Sequence, residues 1–222
     1  MAKNRLYRSG TTPSLACSLP QIQRGSGASL KRFYLAATSC VNRFWAARFK
    51  AAGLKYTKPK IQLTTSGNSV CGKIYYTGAH YCQDQRTFAI NITKRELRNP
   101  YRLAFVRTVA HEMGHHAQKL SGMLDTYNRM VWRAGQNTPT YYALSRRLEM
   151  QADCFAGVFF SASFDSLNGE LGWDEWVGAI ASAKSDKLHG SSANLARWHD
   201  RGYRNGSLAA CNTWTASSSS VR

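Results

Sequence analysis

The first 83 residues of this 222-residue chain contain no acidic side chain; Asp84 is the first. They carry thirteen lysines and arginines, whereas the remainder carries seventeen basic residues against twelve acidic ones. The net charge of +18 attracts polyanions such as nucleic acid, anionic lipid, wall polymer or acidic protein. Yet there is no lysine- or arginine-rich run and no recognised base-reading motif, which weakens a nucleic-acid assignment. No apolar stretch approaches about eighteen residues, which excludes a membrane-spanning helix. No two cysteines lie two residues apart, which argues against a zinc ribbon or finger. The six cysteines are an even set and lean toward an oxidising compartment. Hydrophobic residues make up 43% and aromatic residues 12% of the chain, enough for a buried core, so wholesale disorder is excluded.

Residues 1–28 read as an irregular basic arm punctuated by Gly10, Pro13, Pro20, Gly25 and Gly27. From Ser29 the apolar residues Phe33, Ala37, Cys40, Val41, Phe44, Trp45 and Phe49 recur at helical spacing, and Gly53 marks a stop. That aromatic stripe is core. Short β-prone runs follow at Ile61–Leu63, Lys73–Tyr76 and Thr87–Ile92, separated by Gly67, Gly72 and Gly78. A second helix follows Pro100 and keeps its period through Leu103, Val106, Ala110, Met113, Ala117 and Leu120, with Gly122 just beyond. Further helices are expected over Thr140–Phe160, Asp174–Lys184 and Ser192–Arg204. The pattern predicts one α+β domain over 29–215, followed by a disordered serine-rich tail at 216–222.

Inside the helix after Pro100 lies His111-Glu112-Met113-Gly114-His115, an H-E-x-x-H sequence. Residues i and i+4 share a helix face, so both imidazoles can reach one tetrahedral ion. Glu112 is rotated off that face and reaches a water rather than the metal. A third ligand must come from elsewhere. The metzincin extension fails, because Gln118 and Ser121 stand where glycine and histidine belong. A deformylase-like cysteine has only Cys82 as a candidate, without supporting context. The gluzincin solution, a glutamate on a later helix, has Glu149, thirty-four residues after His115. Asp153 lies one turn further on the same face, where a carboxylate can accept the free N–H of a liganding histidine. His116 points about 100° away from His115 and is left out of the ligand set.

Two histidines and one carboxylate suit a catalytic zinc whose bound water loses its proton near neutrality. Glu112 is then the general base that takes the proton and later the acid that delivers it to the leaving amine. A group for the tetrahedral oxyanion is also required. The candidates are His189, Tyr203, Arg197 and His199, and the sequence does not choose among them.

Ala110 through Gln118, followed by Glu149-x-x-Ala152-Asp153-Cys154-x-Ala156-Gly157, resembles the bacterial neutral zinc metallopeptidase family in its secreted, disulfide-containing form. The likeness extends from Asn4-Arg5-Leu6-Tyr7 through Cys71-Gly72, Tyr81-Cys82, His189-Gly190, Trp198, Gly202-Tyr203 and Gly206 to Cys211-Asn212-Thr213. It departs from the family where arginine usually follows the His-Gly pair, since Ala193-Asn194-Leu195 stand there. The resemblance implies a zincin-like fold, zinc on His111, His115 and Glu149, and Glu112 as catalytic base; His189 is taken as the second catalytic residue. It also implies the pairings Cys71–Cys82 and Cys154–Cys211, leaving Cys17–Cys40 as the third bridge.

The expected activity is zinc-dependent hydrolysis of a polypeptide substrate by an exported or cell-envelope monomer whose leader has been trimmed. The alternative is a non-catalytic, zinc-stabilised basic module that binds anionic cell wall or nucleic acid.

Overall fold

A computed structural model of the chain describes residues 1–74 and 78–222. Ser26 starts the first long helix, α1 (Gly27–Ala51), by accepting the main-chain N–H of Ser29. Its aromatic stripe is core: Phe33, Phe44, Trp45 and Phe49 are each 2% exposed or less. Phe33 meets Phe105 edge-on at 6.2 Å, and Trp45 meets Phe155 at 5.5 Å. These contacts tie α1 to two helices that carry the candidate site, α3 (Arg102–Leu120) and α5 (Pro139–Leu167). Among the described residues, five short strands and the helix α2 (Lys94–Arg98) come between α1 and α3. A reciprocal cap formed by Thr93 and Glu96 starts α2.

The three-stranded sheet has the order β1 (Lys60–Thr64), β5 (Thr87–Asn91), β4 (Ala79–Cys82). β1 and β5 run parallel, with Ile61 opposite Phe88, and β4 runs antiparallel to β5, with Tyr81 opposite Phe88. A separate two-stranded hairpin joins β2 (Asn68–Ser69) to β3 (Gly72–Lys73). The runs expected at Ile61–Leu63 and Thr87–Ile92 correspond to β1 and β5. Of the run expected at Lys73–Tyr76, Lys73 lies in a strand and Ile74 does not, while Tyr75 and Tyr76 lie outside the described residues. β4 was not expected, because Ala-His-Tyr-Cys has no β-branched residue and takes its conformation from pairing with β5.

Helix α4 (Met123–Ala134) was also not anticipated. Gly122, read as a stop, has φ 78° and starts the next helix as well as ending α3. α5 begins at Thr138, whose side chain accepts the Tyr141 N–H, with Pro139 in the first turn. It runs seven residues beyond the expected Phe160, to an Asn168 cap in the left-handed region. α6 (Trp173–Ala181) and α7 (Ser192–Asn205) complete an α+β domain.

Two glycines set the spacing of α5 and α7. A Cβ on Gly157 would lie 2.0 Å from the carbonyl oxygen of His199, and one on Gly202 would lie 2.1 Å from that of Cys154. The helix backbones therefore approach more closely than any side chain allows. Three disulfides, Cys17–Cys40, Cys71–Cys82 and Cys154–Cys211, are closed in the pairing that the family resemblance implied.

The tail expected to be disordered is instead bound. Val221 is 3% exposed, the Trp198 indole donates to Ser220 O at 2.8 Å, and the Asn194 amide donates to Ser219 O and Arg222 O. Serine-rich composition registers side chains, whereas the segment is held here largely through its main-chain carbonyls. The basic arm is also fastened: Leu15 donates to Ala162 O and Thr12 to Gly206 O through their main-chain N–H groups.

Candidate metal centre

α3 and α5 cross where Gly114 faces Ala152. A Cβ on Gly114 would lie 3.2 Å from the Ala152 Cα. That close approach brings the histidine face of α3 against Glu149. His111 Nε2 and His115 Nε2 are 3.1 Å apart, and Glu149 Oε2 is 3.2 Å from the first and 3.1 Å from the second. Donors bound tetrahedrally at about 2.0 Å from a zinc ion stand about 3.3 Å from one another. The triangle fits.

The surrounding hydrogen bonds fit as well. His115 Nδ1–H donates to Gln118 Oε1 at 2.9 Å, which leaves Nε2 with its lone pair facing the triangle. The Gln118 amide in turn donates to Leu148 O and Gln151 Oε1. His111 presents Nδ1 to Asp153 Oδ1 at 3.9 Å, longer than a hydrogen bond. The closer partner of Asp153 is Arg107, whose Nε and Nη2 lie 2.8 Å and 2.5 Å from its two carboxylate oxygens. Burial pushes the Asp153 carboxyl up, but Arg107 and the nearby histidines outweigh it and hold the group strongly ionised.

Burial likewise disfavours charge on His111. Asp153 and Glu149 more than reverse that, pushing it up to about 10. Glu149 is pushed up by burial and held well below the usual carboxylate range by the two imidazoles. The carboxylates therefore draw positive charge into the centre of the triangle, the electrostatic demand of a cation site.

Glu112 sits beside the triangle without joining it. It is 5% exposed, and its Oε2 is buried without a hydrogen-bond partner. Burial raises its pKa, followed by weaker and opposing contributions from His111 and His115. A buried carboxyl with an unpartnered oxygen, on a residue that lines a cavity, is a general-base candidate.

The cavity has a volume of about 1320 Å³ and is lined by His111, Glu112, His115 and Glu149, with His80 and Tyr81 from β4 and Tyr127 from α4. His189 enters it from the segment after α6. Its Nδ1–H donates to Asp186 Oδ2 at 2.8 Å, and its Nε2 lies 3.6 Å from Glu149 Oε2. His189 is outside the group of donor atoms that converge within 4.8 Å.

The other oxyanion candidates lie elsewhere. Tyr203 stacks on Trp173 at 3.5 Å, Arg197 lines a separate smaller cavity, and His199 is fully buried between Asp153 O and the Trp176 indole. His116 faces away, between the Tyr81 hydroxyl and Thr57 O. Arg107, Gln118 and Asp186 were missed in the sequence. Gln118 entered as a failed metzincin position and as the end of the family-like stretch, without a role, and nothing local announces any of the three.

The fold and site define a protein with an H-E-x-x-H helix facing a glutamate helix across a cleft. The chain belongs to the family described as "Putative neutral zinc metallopeptidase", whose sequence profile matches residues 6–214. It is similar to YpfJ of Escherichia coli K12, described as uncharacterized, at 30% identity over 194 residues; the match covers 77% of this chain and 66% of that protein. It is also similar to Rv2575 of Mycobacterium tuberculosis H37Rv and Mb2605 of Mycobacterium bovis, both described as uncharacterized. Each is 25% identical over 226 residues, covering 86% of this chain and 74% of the relative. The chain thus spans just under two thirds of the Escherichia coli relative's length. No solved structure matches it significantly.

Proposed function

We propose that this chain hydrolyses peptide bonds in a gluzincin-type site, with His111, His115 and Glu149 as zinc ligands. The observation that carries the reading is the combination of the three-donor triangle with the unpartnered Glu112 oxygen beside it. Zinc in such a donor set acidifies a water toward a pKa of about 7 and polarises a carbonyl. Glu112, desolvated and with its pKa raised, takes the proton from the attacking water and returns it to the leaving amine. Gln118 fixes the tautomer of His115, and Asp153, anchored by Arg107, supplies the negative charge facing His111. His189, held by Asp186 through Nδ1, directs Nε2 at the developing oxyanion.

The basic arm at 1–28 is then an accessory to a peptidase domain at 29–215. The three closed disulfides support an exported protein. A purely structural metal site would not leave Glu112 orphaned at a cavity wall, which favours catalysis over the basic-module alternative.

The test is Glu112→Gln. It is expected to retain one equivalent of zinc and to lose cleavage of an unfolded protein such as casein. Cleavage at the parental rate would overturn the mechanism.

A further inference from the structure

Among the described residues, one other group of metal-ligating side chains converges: Cys71, His80 and Cys82. Their donor atoms all lie within 4.8 Å of one another, and His80 Nε2 is 3.4 Å from Cys71 Sγ. In tetrahedral zinc sites, Zn–S of about 2.3 Å and Zn–N of about 2.0 Å set sulfur and nitrogen about 3.5 Å apart. The nitrogen is therefore already at ligand distance from one sulfur. The disulfide bond between the two sulfurs, together with a Ser69 hydrogen bond to the His80 nitrogen, separates this arrangement from a liganding one.

The three disulfides differ in accessibility. Cys17, Cys40, Cys154 and Cys211 are 5% exposed or less, as is Cys82, whereas Cys71 is exposed. Exposed disulfides are the ones that thiols attack and open. Ser69 completes the surroundings, with its Oγ 2.6 Å from His80 Nε2 and 3.7 Å and 3.9 Å from the two sulfurs.

We propose that Cys71, Cys82 and His80 form a second, thiol-gated site for a divalent zinc-type cation, locked as a disulfide and opened by a dithiol reductant. A thiolate of the reductant attacks Cys71 Sγ, and the S–S electron pair leaves on Cys82. The reductant's second thiol then displaces Cys71 and departs as a cyclic disulfide. Two electrons pass to the protein, yielding two cysteine thiols. As the cation binds, those thiols release up to two protons to water. The site spans β3's turn and β4, and His80 also lines the cavity that holds His111 and Glu149. Its state therefore sets whether the cleft wall is fastened by a covalent bond or by a metal. The proposal is independent of the peptidase reading.

Cobalt(II) tests it, because a sulfur-to-cobalt charge-transfer band cannot arise at the histidine–glutamate triangle, which has no sulfur. Oxidised protein is expected to show no such band. Protein opened with a dithiol and then freed of it, with alkylation mapping showing free Cys71 and Cys82, gains the band on taking up one equivalent of cobalt beyond that held by the oxidised protein. His80→Ala should weaken that binding at least about tenfold, since even outer-shell partners contribute that much to metal sites. Cys71→His guards against loss of folding on reduction: it removes the disulfide without reductant, leaves Cys82 as the thiolate and should show the band unaided. Absence of the band in both the reduced protein and Cys71→His overturns the proposal. So does a His80→Ala affinity equal to the parent's.

Discussion

Gln118 accepts the Nδ1–H proton of His115 at 2.9 Å while donating its amide to Leu148 O and Gln151 Oε1. One buried side chain thus fixes a histidine tautomer on α3 by leaning on α5. Gln118→Leu should lower zinc affinity roughly 10–100-fold, the usual cost of losing an outer partner of a liganding histidine. Gln118→Glu keeps the acceptor for His115 but turns a carboxylate oxygen toward Leu148 O and Gln151 Oε1, so it should hold zinc better than Gln118→Leu while losing stability. Competition with a chromophoric chelator reads both.

Arg107 and Asp153 form a two-pronged ion pair in which the carboxylate is fully buried. Arg107→Met leaves that charge without its main partner and should destabilise the fold by about 3–5 kcal/mol. Replacing both residues, as Arg107→Met with Asp153→Leu, should recover most of the loss, because paired apolar substitution is often nearly neutral. Urea unfolding of the two variants separates the outcomes. A small loss in the single variant would mean that solvent compensates Asp153.

The acid limb of stability has an identifiable contributor in His199. Burial lowers its pKa from 6.5 to about 4, and its two ring nitrogens already serve a neutral imidazole. Nδ1–H donates to Asp153 O, and Nε2 accepts the Trp176 indole N–H. Between about pH 6.5 and 4 the unfolded chain binds a proton that the folded chain refuses. Stability should therefore fall as pH drops through that window, by on the order of 3 kcal/mol. His199→Gln, though less stable throughout, should show a flatter profile there in urea midpoints measured at half-unit steps.

Asp186 holds His189 through its side chain and accepts main-chain N–H groups from Leu188 and His189 at 2.8 Å each. If His189 serves the oxyanion, His189→Ala should cost about 10²–10³ in kcat with little change in KM. Asp186→Asn should cost a smaller factor of the same kind. Zinc content should be unchanged in both. A loss confined to KM would instead place the pair in substrate binding.

The two ligand helices were legible because helical periodicity is local: His111 and His115 share a face by spacing, and so do Glu149 and Asp153. Their supports were not, since Arg107, Gln118 and Asp186 acquire meaning only when α3, α5 and the segment after α6 meet. α4 was hidden behind Gly122, whose left-handed φ ends one helix and begins another. The parallel pairing of β1 with β5 is a long-range choice that no run of residues encodes. Gly157 and Gly202 could be noted as family landmarks, but their reason, two helix backbones in contact, is visible only in three dimensions.

The C-terminal segment acts on the cleft from a distance. Ser191 N–H and the Asn194 amide both donate to Arg222 O, and Arg146 donates to Val221 O, so the last residues clamp the turn that follows His189. Trimming them, or prising them away with a fused partner, would loosen the grip on that histidine while leaving the ion's own donors in place. On the proposed reading, protein prepared that way would keep its zinc and turn over slowly.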